Sequence, residues 1–290
     1  MAVRKGQLTG WAFAAPGLIV YIAFLVYPAV SSFSLSFTNW NGISPAKAFV
    51  GLQNYVQLFH DSVVHTAARN NLIWAMVTII VPMALGLGLA MAVNTRVYFR
   101  AAIRTVLYTP AVLPLVGVGT IWGWLFQPAG VINDLLSDVG LGSLAHPWLG
   151  DSTTAIWAIT IPAIWVRTGF PMLLYLAALQ GIPAEYYEAA LTDGASAWQR
   201  FRYITFPSLR ATHYIVLALG LIDTAKVFDL VFAMTDGGPG NSTQVMGTWM
   251  YFNVFQSYSF GYGTAIAVVI TLVSVIVGIP YVRSQARQLG

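Results

Sequence analysis

Four ionisable side chains stand inside long apolar runs: Arg167, between Trp165 and Phe170, and Asp223, Lys226 and Asp229, each three residues from the next. A charge at membrane depth is costly, so such groups face the interior of a bundle or a water-filled cavity. Two kinds of chemistry fit them. In the first they are structural cross-links: Lys226 is neutralised by Asp223 or Asp229 at helical spacing, and Arg167 pairs with an acid of another helix. In the second, some of them line a polar path for a hydroxylated solute, with Trp165 or Tyr175 stacking against it. Asp229 also reads as lying near the external end of its span, where its cost is small.

A second concentration of charge is the run from Glu185 to Pro207, which carries Glu185, Glu188, Asp193, Arg200 and Arg202 in a chain only 8% charged. A polar island in so apolar a chain is where it meets something else. Other chemistries are excluded or unsupported. There is no cysteine, hence no disulfide, thiolate nucleophile or cysteine metal site, and the redox compartment stays open. Lys5, Lys47 and Lys226 are the lysines, and none precedes Ser or Thr, so a Walker A phosphate loop is missing. None of His60, His65, His146 and His213 begins an HExxH motif; His213 reads as a hydrogen-bonded residue near a span end. Asp223 and Asp229, six apart on one expected helix, point to different faces and do not form an aspartyl dyad.

The elements that must position these groups follow from composition. With 290 residues, 57% of them hydrophobic, and 8% charged where a soluble domain has about 25%, the chain is a membrane protein. The net charge of +4 is no nucleic-acid footprint, because the basic residues sit in short segments beside apolar runs. Six spans are expected, over about 8–37, 70–94, 105–126, 153–180, 211–234 and 261–282. The first run is too long for a signal-peptide core, and Pro28 is expected to bend or end it. A loop over 38–69 carries a short interfacial helix near 54–59. Gly86, Gly88, Ala90 and Ala92 permit close packing of the second span. Pro110 and Pro114 break the backbone of the third, which fits either a packing kink or a translocation route. External loops follow at 127–152 and around TDGGPGNST, 235–243.

Charge orients the spans. Arg4, Lys5, Arg96, Arg100, Arg104, Arg200, Arg202, Arg210, Arg283 and Arg287 fall on one side, and Lys47 and Arg69 on the other. This bias puts both termini and the 185–207 run in the cytoplasm. The fold class is thus an all-α polytopic membrane protein with six transmembrane helices. It divides into an N-terminal span and external loop (1–68), a five-helix core (69–282) holding a cytoplasmic loop at 183–207, and a tail (283–290).

That loop has readable local physics. Pro183 suits a first helical turn, residues 184–192 favour helix, and Gly194 tolerates the left-handed conformation that ends one. Ser196 and Gln199 form a capping-box pattern for a second helix bearing Trp198, Phe201 and Ile204 on one side. Glu185 and Glu188 are neighbours on one face, beside the small Ala189 and Ala190.

The run EAALTDGASAWQRFRYITFP resembles the EAA loop of membrane subunits of bacterial ABC importers, departing from it at Phe206, where an aliphatic residue is expected before Pro207. FDLVFAMTDGGPGNST (228–243) followed by Tyr251, Phe255 and GYGTAIA, together with FVGLQNY near residue 50 and the stretch from Trp165 through Met172 to Pro183, is similar to sugar permeases of the maltose type, the first carbohydrate-uptake class. The resemblance spans nearly the whole chain and implies a type I importer transmembrane fold. It implies that Glu185, Glu188, Ala189, Ala190, Asp193, Gly194, Ala195 and Pro207 seat in a cytoplasmic ATPase. It also implies a second homologous permease, an ATPase dimer that binds the ATP, an extracytoplasmic solute-binding protein, and residence in the bacterial cytoplasmic membrane. No cofactor or metal is expected on this chain, and no catalytic residue. The solute is expected to be a sugar; glycerol phosphates or peptides are the alternative, and a channel or membrane enzyme outside this family the more distant one.

Overall fold

Pro28 has no N–H for the carbonyl four residues back, and the helix accommodates this by widening rather than ending. In the computed structural model, α1 (Ala2–Tyr21) passes through a π-helical turn at Ile22–Val26 into α2 (Tyr27–Leu35). The structure describes residues 2–94 and 99–286, and the side chains among them other than 2–10, 12, 100, 277 and 280–286. Arg96 and Arg287 of the charge count lie outside the described residues, as do the side chains of Arg4, Lys5, Arg100 and Arg283. Among the described residues the architecture is helical, with one isolated antiparallel bridge, Thr38 to Phe49.

In chain order there follow α3 (Gln53–His60), α4 (Ser62–Asn94), α5 (Arg100–Tyr108), α6 (Leu115–Leu125), α7 (Val131–Asp138) and α8 (Ala155–Gln180). Then come α9 (Ala184–Thr192), α10 (Ala197–Arg200), α11 (Phe206–Ser208), α12 (Arg210–Ala225), α13 (Asp229–Thr235), α14 (Met246–Tyr251) and α15 (Phe260–Ala286). Among the described residues three helices are long and apolar enough to cross a membrane: Phe13–Leu35, Ser62–Asn94 and Ala155–Gln180. Two bent pairs, Ala101–Val112 with Leu115–Leu125 and Ala197–Ser208 with Arg210–Ala225, bring the number to five if each counts once.

Contacts divide the chain into two units, one of residues 1–61 and 249–272, the other of 62–248 and 273–290. In the first, Asn54 closes the turn after α2 by donating to the carbonyls of Ser36 and Thr38, both at 2.8 Å. Asp61 accepts hydrogen bonds from the Trp249 indole at 3.0 Å and the Tyr262 hydroxyl at 2.6 Å. Gly261 sits where a Cβ would overlap the Thr38 carbonyl, so only glycine fits.

The second unit is built on α4 and α8. A Cβ at Gly86 would lie 2.8 Å from Pro171 and 2.9 Å from the Met172 nitrogen, and one at Gly169 would lie 2.7 Å from the Leu107 carbonyl. Small residues thus let these backbones approach, as packing inside a bilayer favours. One core cluster joins Trp74, Val118, Ile159, Val166, Val231 and Val245; a second joins Leu87, Met172, Tyr175, Leu179, Leu209 and Val216.

Two expectations change, and the break expected in the third span is present. Residues 62–69, read as loop, are the first two turns of α4. Hydropathy marks only the hydrocarbon, whereas the 33 residues of α4 extend about 50 Å against its roughly 30 Å. The expected boundary at 68/69 therefore lies within a helix. The third span is not straight: Pro110 and Pro114 leave a 3₁₀ turn at Thr109–Val112 and hold Leu113 extended, at φ −76° and ψ 143°, and the flanking segments cross at 95°. The fifth span does not run to 234. It stops at Ala225, and α13 starts afresh at Asp229. No Pro or Gly marks this break; Val227 is buried there, and its carbonyl closes on Gly247, where a Cβ would come within 2.7 Å. Helix α14, in a stretch expected to be loop, is a further addition.

Candidate functional site

The break between α12 and α13 decides where the intramembrane charges go. Asp223 is on the last turn of α12, Lys226 caps that helix, and Asp229 opens the next. The three therefore do not share one helical face. Lys226 is not neutralised at helical spacing: the described ion pairs are His146–Asp151, in the loop before α8, and Arg167–Asp223. The second joins α8 to α12, the cross-helix pairing open to Arg167. Its Nη1 to Oδ2 distance is 3.5 Å, with the Arg167 side chain 22% exposed and that of Asp223 65%. A charge-assisted hydrogen bond is roughly 2.7–2.9 Å, so this is a loose contact.

Two cavities meet at the pair. One, of about 200 Å³, is lined by Trp74, Ala163, Lys226, Phe228 and Asp229 among others. The second, of about 440 Å³, is lined by Thr78, Pro82, Phe170, Val216 and Leu219 among others. Leu115, Val166, Arg167 and Asp223 line both. The order of lining residues along α4, α8 and α12 is consistent: the larger cavity lies toward the ends of α8 and α12 that meet the 183–207 loop, and the smaller lies away from it. Trp74 is buried, and its indole N–H has no acceptor among the described residues.

Trp165 and Tyr175 line neither cavity. Trp165 is exposed and its ring lies tilted against that of Trp122, with centroids 6.0 Å apart. Tyr175 is buried, and its hydroxyl bonds His213 Nδ1 at 2.8 Å. That bond gives His213 the hydrogen-bonded role expected of it. Trp74, Leu115 and Val166 were not singled out in the sequence because an apolar residue in an apolar run carries no mark of the face it takes.

The 183–207 loop folds as a hairpin. Helix α9 begins after Pro183; Gly194 takes φ +74°, the left-handed position reserved for it; and Ser196 and Gln199 exchange both capping-box hydrogen bonds, at 3.3 and 2.7 Å. Glu185, Glu188, Ala189, Asp193, Gly194 and Pro207 are exposed, and Ala190 and Ala195 half-buried. The second arm runs α10, a π turn at Phe201–Thr205, and α11. Phe206 meets Phe201 edge to face at 6.0 Å and lies tilted against His213 at 4.6 Å, so the aromatic residue ahead of Pro207 extends a chain of ring contacts from Trp198 to Tyr175. Tyr187 of α9 bonds Thr205 at 2.9 Å and locks the two arms together.

The stretch TDGGPGNST is anchored as well. Asn70 of α4 donates to the carbonyls of Ser242 and Gln244, at 2.7 and 2.8 Å, and Thr243 bonds Thr235 and the Gly238 carbonyl. In the loop before α8, Asp151 accepts from the Thr153 amide and hydroxyl, both at 2.7 Å, and from His146 at 3.0 Å. These bonds, led by the Thr153 amide, hold its carboxyl below the ordinary aspartate range. Among the described residues no group of His, Asp or Glu is arranged to hold a metal ion.

Residues 84–288 match the family described as binding-protein-dependent transport system inner membrane component. The chain is 38% identical to a probable ABC transporter permease protein of Pyrococcus horikoshii, over 93% of this chain and 92% of the relative. It is 33% identical to the trehalose/maltose transport system permease protein MalF of Thermococcus litoralis, over 91% and 89%. Identity to the sulfoquinovosyl glycerol transport system permease protein SmoG of Agrobacterium fabrum is 35%, over 93% and 87%. Among solved structures it resembles a chain of a bacterial ABC transporter involved in the import of the acidic polysaccharide alginate, with TM-score 0.83, 24% identity and 99% coverage of both chains.

Proposed function

Because the chain belongs to the inner membrane component family of binding-protein-dependent transport systems, we propose that it forms half of a translocation pore for a sugar or sugar-like solute. It is a permease subunit of an ABC importer, with the type I fold, and not itself an enzyme. The observation that carries the pore reading is the alignment along α4, α8 and α12 of a charged cavity and a larger, mostly apolar one, the latter toward an exposed acidic hairpin. Relatives that serve trehalose and maltose or a sulfoquinovosyl glycerol support the sugar class.

In this reading the spans number six: the three long helices, the bent pair of Ala101–Val112 with Leu115–Leu125, α12 and α15, with both termini and the hairpin in the cytoplasm. The chain has no Walker A loop, so ATP is bound by a partner ATPase dimer. Glu185, Glu188 and the small residues around Gly194 seat in that dimer. A second, homologous permease completes the pore, and an extracytoplasmic binding protein delivers the solute. ATP-driven closure of the ATPases moves the hairpin and switches the pore between inward and outward access. That transmission requires the ATPases to contact the hairpin differently in the two states.

The test is a pull-down of this chain from its native membranes in mild detergent. Co-purification of an ATPase and a second permease is the expected result. Recovery of the chain alone, or with copies of itself only, would sink the assembly.

A further inference from the structure

The Arg167–Asp223 pair occupies an unusual place: it belongs to the wall of both cavities, with Leu115 and Val166 beside it. Along α12, Val216, Leu219 and Gly220 line the cavity toward the hairpin, and Lys226 the one away from it, with Asp223 between. Along α8, Phe170 and Pro171 line the first, Ala163 the second, and Arg167 stands between. Two helices thus agree that the pair marks the level at which one cavity ends and the next begins. It is also a contact built to part. One Nη1 to Oδ2 distance of 3.5 Å replaces the two short bonds of a bidentate fork. Asp223, at 65% exposure, is not walled in by protein.

We propose that Arg167 and Asp223 are a gate between the two cavities, closed by their ion pair and opened by an uncharged polyhydroxylated solute. This rests on the pore reading above and deepens it. Leaving a largely buried charge unpartnered is expensive, so Arg167, at 22% exposure, gives up Asp223 when another group satisfies its guanidinium. A sugar offers hydroxyls that donate to Asp223 and accept from Arg167 in one molecule. On the far side of the gate the smaller cavity supplies further complementary groups: Lys226 and the free Trp74 N–H as donors, Asp229 as acceptor. Its charges balance, two basic side chains against two acidic. A carboxylated solute would compete with Asp223 for Arg167 and meet Asp223 as a like charge, so the same geometry disfavours acids.

The chain has no cysteine, which allows a test that needs no knowledge of the solute. Leu219→Cys places one thiol in the cavity on the hairpin side. In the assembled importer, in sealed vesicles of known sidedness, a membrane-impermeant methanethiosulfonate reagent added on the side opposite the hairpin should leave this thiol protected. Adding Asp223→Asn should raise its labelling rate tenfold or more. The exchanged pair, Arg167→Asp with Asp223→Arg, should restore protection that either single exchange loses. Fast labelling from that side with the native pair intact would overturn the gate and leave the pore standing. A thiol that stays unlabelled from both sides in every variant would overturn the pore reading of these cavities, and the gate with it.

Discussion

At the scale of the residue, Glu188 is the sharpest candidate for contact with the ATPase. It is exposed on α9, three positions from Glu185 and beside Ala189, and it makes no described ion pair within the chain. Its charge is therefore available to a partner. Glu188→Lys should leave the hairpin folded, because the caps and the Tyr187–Thr205 bond do not involve it. Transport by the assembled complex should fall about tenfold or more, the effect of roughly 1.4 kcal/mol at an interface. The check is uptake and subunit stoichiometry measured on the same preparation; unchanged uptake would remove Glu188 from the coupling contact. Residue roles were legible in unequal measure. Gly194 and Ser196 carry local signals, positive φ and a capping box, that need only their neighbours in sequence. The partner of Arg167 was legible only as a class, an acid on another helix, because pairing across helices depends on tertiary register.

Elements were readable where hydropathy and backbone chemistry coincide and misread where they part. The π turn before Pro28 and the bend at Pro110 and Pro114 follow from a missing N–H and a restricted preceding residue. The end of α12 at Ala225 has no such signal; the packing of Val227 and Gly247 imposes it. Helix α8 offers a test at this scale. Asp151 precedes it, and its backbone carbonyl accepts from the Ala155 amide at 2.9 Å while its carboxylate binds Thr153. Its folded pKa is depressed, so the stabilisation it gives is present above the ordinary value of 3.8 and is lost as pH falls through the lower folded value. Asp151→Asn should accordingly lower the midpoint of thermal unfolding near neutral pH. The gap to the native chain should close as pH drops below 3.8. A difference independent of pH would mean that the carboxylate charge contributes nothing to this turn.

At the scale of the whole molecule, the proposed function makes the chain a half-machine: it holds cavities and an exposed hairpin, and its sequence carries no Walker A loop. Reconstituted alone in liposomes, it should hydrolyse no ATP and accumulate no solute; ATP-independent accumulation or turnover would point instead to a self-contained channel or enzyme. The membrane class and the family were legible from composition and from two motifs in fixed order. The joining of residues 249–272 to the N-terminal segment was not, because Asp61 reaches Trp249 and Tyr262 across nearly two hundred residues of sequence. The segment from Trp11 to Leu35 has one property that sets it apart. No described residue in it is buried within this chain, from Phe13 at 86% exposure to Tyr27 at 69%, and the matched family region begins only at residue 84. The fold of this protein therefore exerts little selection on what those side chains are. Their drift among relatives should be governed by lipid and by neighbouring subunits, so that the helix is a cast of its surroundings, from which the shape of the neighbour can be read.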